Sequence, residues 1–96
     1  ETRVLAVAAG NFVDIHDTLY LVDLLNGDQT QVHTSEGSFT IGVSAYDPDS
    51  EMLYVPDAAS SSVVELARDG DDFDEVGSTP VAPGLGLPPA QVHLLD

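Results

Sequence analysis

Cysteine, tryptophan and lysine are absent from the 96 residues, and besides His16, His33 and His93 the basic side chains are Arg3 and Arg68 alone. Without cysteine there is no disulfide framework and no thiolate chemistry. Two arginines against 17 acidic residues leave a net charge of −15. A surface of that sign repels nucleic acid and anionic membrane, so neither is an expected partner. It suits a cationic partner, a bound divalent metal such as calcium, or a saline medium in which acidic residues keep the chain dispersed. No apolar run approaches the length of a membrane span, so no membrane insertion is expected. No Gly-x-Ser-x-Gly elbow, nucleophile–base pair or phosphate-cradling glycine loop occurs. No segment carries a helical period, which leaves an all-β chain.

The organising stretch is Gly42 to Val55, GVSAYDPDSEMLYV. Val43 and Ala45 alternate with Ser44 and Tyr46, Asp47-Pro48-Asp49-Ser50 supplies turn residues, and Met52 to Val55 is apolar again. This predicts strand, tight turn, strand, with Pro48 pre-set for the second turn position and Asp47 able to accept a backbone N–H two residues on. Its halves recur. Val4–Val7 matches Met52–Val55 at an offset of 48, Leu21–Leu24 matches Val63–Leu66 at 42, Asp28–Val32 matches Asp72–Val76 at 44, and Val43–Asp47 matches Val92–Asp96 at 49. Four strand-like pieces recurring in order every 40–50 residues are the pattern of β-propeller blades. The expected architecture is two four-stranded antiparallel blades, residues 1–47 and 48–96.

Gly42 to Asp57, followed by Ser62-Val63-Val64-Glu65-Leu66 and Asp69-Gly70, resembles blades of the NHL and YVTN-type β-propellers. That resemblance is best over residues 40–77 and weaker over 4–33, where Ala8-Ala9-Gly10 replaces the usual polar strand end. It implies a ligand- or partner-binding platform, often secreted or in the cell envelope, with a minority of enzymes such as lactonases. No family catalytic residue falls on a position of this chain. Two blades leave open faces, whereas a closed propeller typically has 4–8. The remaining blades are therefore expected from copies of this chain or from a longer parent, and the start at Glu1 rather than Met fits a processed or excised segment.

Taken in order, Arg3–Ala9 and Met52–Pro56 read as the innermost strands of the two blades, Leu19–Leu25 and Ser62–Ala67 as second strands, and Gln29–Thr34 and Asp72–Gly77 as outer ones. Phe39–Tyr46 and Gln91–Leu95 then close each unit. Asn26-Gly27 and Asp69-Gly70 mark hairpin turns. Two connections exceed their counterparts, Gly10–Thr18 by about six residues and Ser78–Ala90 by about five. In an up-and-down blade both emerge at the same end, and added loops on a rigid scaffold commonly carry binding. The candidate ligand-binding residues are accordingly Asn11, Asp14, His16, Asp17, Leu85 and Leu87. Asp14, His16 and Asp17 also form a candidate metal triad, its oxygens favouring calcium and its imidazole a transition metal, although Asp and His are ordinary loop residues. Asp69, Asp71, Asp72 and Asp74 lack the spacing of a calcium loop and read as a solvated acidic hairpin. The preferred function is a non-catalytic binding or scaffold module acting through loops 10–18 and 78–90; the alternative is part of a metal-dependent, lactonase-like propeller hydrolase.

Overall fold

The computed structural model describes residues 2–82 and 87–95. The described chain is all-β, with seven strands and no helix: β1 (Arg3–Ala8), β2 (His16–Asp23), β3 (Gln29–Glu36), β4 (Ala45–Asp47), β5 (Met52–Asp57), β6 (Ser62–Asp69) and β7 (Asp72–Pro80). They form two antiparallel sheets, β1-β2-β3 and β4-β5-β6-β7, in which every ladder joins strands consecutive in sequence.

Turn chemistry sets the hairpins. Between β4 and β5, Asp47 Oδ1 accepts the Asp49 N–H at 3.0 Å and its Oδ2 accepts the Ser50 hydroxyl at 2.9 Å. Glu51 then closes the turn at φ 56°. The β5–β6 turn repeats the plan: Asp57 Oδ1 accepts the Ala59 N–H at 3.0 Å, and Ser61 closes at φ 51°. In both cases an aspartate folds the backbone over its own side chain, and a left-handed residue turns it into the next strand. Gly70, at φ 65°, supplies the left-handed position of the two-residue β6–β7 turn.

One core fills the space between the sheets. Leu19 and Leu21 of β2, Val32 of β3, Leu53 and Val55 of β5, Val64 and Leu66 of β6, and Ile41 are buried together. The strands alternate as the two-residue period requires: Asp17, Leu19 and Leu21 point inward from β2, and Ser62, Val64 and Leu66 from β6. These buried positions correspond at an offset of 45 rather than 42. A three-residue difference turns a strand over, so matching Leu21 to Val63 pairs an inward side chain with one less buried. The connection after β1 thus spans residues 9–15 against 58–61 after β5, three residues longer rather than six.

Other boundaries also differ from the sequence reading. β2 begins at His16, so His16, Asp17 and Thr18 belong to a strand, and β7 runs on to Pro80, which takes Ser78 and Thr79 out of the loop. The first sheet has three strands, not four. The segment after β3 leaves that sheet, and β4 pairs with β5, so β4 rather than β5 is the edge strand there. Residues 91–95 add no strand beside β7. Instead the Val43 N–H donates to the Ala90 carbonyl at 2.9 Å, and the Val92 N–H to the Val43 carbonyl at 3.0 Å, in a parallel bridge.

Gly42 permits that bridge. A Cβ at residue 42 would collide with the Ala90 carbonyl and lie 2.9 Å from Pro56 Cγ. Gly42→Ala is therefore expected to destabilise the chain by about 1–3 kcal/mol, as overpacking does. Amide exchange at Val43 and Val92 measures it: protection should fall at both, and undiminished protection would show that the crossing has slack.

Candidate functional site

β1, β3, β5 and β7 all finish at one end of the sheets, and the connections 9–15, 37–44 and 58–61 meet there. At the centre is Asp17, with 1% of its surface exposed. Its Oδ1 accepts the N–H groups of Gly10 and Phe39, each at 2.9 Å, and its Oδ2 those of Thr40 at 2.8 Å and Ile41 at 3.0 Å. One carboxylate thus ties the root of the 9–15 loop to the segment crossing between the sheets. Burial is the largest single influence on its ionisation and favours the neutral form. The N–H groups of Gly10, Ile41, Phe39 and Thr40 together outweigh it and hold the carboxyl below its ordinary value.

A second carboxylate joins the sheets directly. Asp57, 4% exposed at the end of β5, accepts the Ser35 hydroxyl of β3 at 2.7 Å on Oδ1. Its Oδ2 lies 2.8 Å from His33 Nε2, also on β3. Ser35 Oγ shares a further hydrogen bond of 2.7 Å with the Thr40 hydroxyl. Asp17 and Asp57 therefore bracket residues 39–41. Among the described residues no buried side-chain nitrogen or oxygen lacks a partner.

Beside this network the 9–15 loop is braced from within. Asn11 Oδ1 accepts the N–H groups of Val13 at 2.8 Å and Asp14 at 2.9 Å, and the Asn11 N–H donates to the Asp14 carbonyl. Asp14 Oδ1 meets His16 Nδ1 at 3.1 Å, while His16 Nε2 lies 3.2 Å from Glu36. The Asp14 hydrogen bond raises the His16 pKa above its ordinary value, opposed by partial desolvation and assisted by Glu36. The braced loop carries Phe12 and Val13 fully in solvent and Ile15 mostly so. Phe39 joins them at the same end: its backbone is held at φ 60° beside Asp17 and its ring is exposed.

The structure places Asn11, Asp14 and His16 together on the loop and at its exit, but it separates Asp17 from them. Consecutive strand residues face opposite sides, so His16 points outward and Asp17 inward, with both carboxylate oxygens engaged by backbone amides. Among the described residues no group of three or more His, Cys, Asp or Glu side chains is placed to hold a metal ion. Leu87 is exposed, and Leu85 lies outside the described residues. His93 is exposed, whereas His33 is part of the inter-sheet network. Sequence reasoning missed Asp57, Ser35 and Thr40 as a connected set, and Phe12, Val13 and Phe39 as an exposed group. The apolar residues Phe12, Val13 and Ile15 gathered in one short connection were the available signal for the loop part of the latter.

No helix among the described residues is long and apolar enough to cross a membrane. No family model, curated protein or solved structure matches the chain.

Proposed function

We propose that the chain is a two-sheet piece of an NHL- or YVTN-like β-propeller acting as a non-catalytic binding module, in a secreted or cell-envelope setting. The ring is completed by further blades, from copies of the chain or from a longer parent. Three features support the architecture: meander sheets, a core shared between their faces, and a third segment running parallel beside Val43. The edge of β1 has no neighbouring strand among the described residues, whereas β4 flanks β5 in the second sheet.

The observation that carries the binding role is Phe12 and Val13, solvent-exposed at the tip of a loop whose base and interior are both tied down. Pre-ordering lowers the entropy lost on binding, and exposed apolar side chains are what a partner buries. A protein surface with an apolar recess is the favoured ligand, ahead of a glycan or small molecule.

Peptide-display selection and a glycan array on the 96-residue chain test this, with Phe12→Ser/Val13→Ser as the comparison. These are exposed positions, so stability should change by about 0.5 kcal/mol or less. Selected ligands are expected to bind the double variant at least about tenfold more weakly, a difference of about 1.4 kcal/mol. Equal affinity, or no saturable ligand in either screen, would overturn the reading.

A further inference from the structure

At the opposite end of the sheets, away from the 9–15 loop, a cavity of about 480 Å³ opens between them. Both arginines of the chain lie on its wall, Arg3 from β1 and Arg68 from β6, together with Leu5, Leu21, Tyr46 and Phe73. For a chain with 17 acidic residues to bring its two arginines to a single recess is a marked departure from its overall charge.

Arg68 is held in place. Its Nε donates to the Gly70 carbonyl at 2.7 Å, one Nη1 donor reaches the Tyr46 hydroxyl at 3.3 Å, and its Cζ stands 5.6 Å from the centre of the Tyr46 ring. Tyr46 is in turn fixed edge-on against Phe73, with ring centres 6.4 Å apart. A guanidinium has five N–H donors in a planar fork, so these two bonds leave three for a ligand. Arg3 is paired with Asp71. That pair is close to neutral, and Glu51 on the wall disfavours a second negative charge. The recess thus suits one negative charge and an apolar body.

We propose that this cavity binds a small monocarboxylate with an aliphatic or aryl tail. The carboxylate accepts hydrogen bonds from Arg68, and the tail lies against Leu5, Leu21 and Phe73. The volume is within the usual range for small-molecule sites, and charge-assisted bonds from a preorganised guanidinium supply the orientation.

The test is a titration of the 96-residue chain, followed by amide chemical shifts and calorimetry, with 4-phenylbutyrate, its uncharged amide and phenyl phosphate. Expected is saturable binding of the carboxylate at one per chain, with shifts centred on Leu5, Tyr46, Arg68 and Phe73. The amide and the phosphate should each bind at least about tenfold more weakly, and Arg68→Met should weaken the carboxylate by a similar factor. Equal binding of acid and amide, shifts confined to the 9–15 loop, or no saturation by about 10 mM (far weaker than the charge-assisted contact predicts) would overturn the proposal. The ligand comparison is made on the unaltered chain, so it decides the matter even if Arg68→Met fails to fold.

Discussion

Asp17→Ala is expected to destabilise the chain by about 3–5 kcal/mol, the range for removing a buried charge from its hydrogen-bonded partners. Four backbone N–H groups, of Gly10, Phe39, Thr40 and Ile41, lose their acceptor together. Among the described residues no other side chain is hydrogen-bonded to these amides. Because domains of this size have total stabilities of only about 5–15 kcal/mol, the variant should be largely unfolded in mild urea. Urea denaturation followed by circular dichroism measures the change. Asp14→Ala, three residues earlier in the 9–15 loop with its carboxylate mostly exposed, is the control and should move stability by about 0.5 kcal/mol or less. If the two variants are equally stable, the anchoring role assigned to Asp17 is wrong. The same carboxylate gives the chain an acid dependence of known sign. Its pKa is lowered on folding, so its contribution is fully present above the ordinary value of 3.8 and disappears as pH falls through the lower folded value. Asp17→Asn should lack that component of acid sensitivity.

Asp57→Ala should destabilise by about 2–4 kcal/mol, through loss of its bonds to Ser35, His33 and its own turn. Here the informative quantity is coupling. Asp57 sits on one sheet and His33 on the other, so a double-mutant cycle with His33→Ala isolates a contact between sheets. A coupling energy of about 1–2 kcal/mol is expected for groups at 2.8 Å with both side chains largely buried. Additive effects would mean that the His33–Asp57 contact contributes nothing measurable to holding the sheets together, leaving the Ser35–Asp57 bond and apolar packing to do so.

What the sequence disclosed and what it hid follow from the range of the interactions. Asp47-Pro48-Asp49-Ser50, Asn26-Gly27 and Asp69-Gly70 act on their immediate neighbours, and each marks a turn in the structure. The Val–Leu alternation of β5 and β6 was likewise readable, because the two-residue period is local. Asp17 was not. Three of its four donors lie 22–24 residues further along the chain, so next to Asp14 and His16 it looked like one more loop acid. The fate of Phe39–Tyr46 was hidden for a related reason. Its apolar residues suit an edge strand of either sheet, and the choice of the second is made by the hydrogen bonds of Gly42 to Pro56 and of Ala58 to Thr40. The cavity is a third such case: Arg3 and Arg68 are 65 positions apart and meet only because the sheets pack face to face.

The meander order of both sheets also bears on how quickly the fold is reached and how long it lasts. Each ladder is closed by a short connection, from two residues at 70–71 to seven at 9–15, and closing a short loop loses little chain entropy. Such connections let each sheet grow hairpin by hairpin. The bonds from Asp57 to Ser35 and His33 of β3 join the two sheets and are expected to form only once both exist, whereas those of Asp17 tie the first sheet to the segment that follows it. Interactions made after the rate-limiting step act on unfolding rather than folding. Asp57 is therefore expected to act on the lifetime of the docked sheets, and the turns on the speed of their formation.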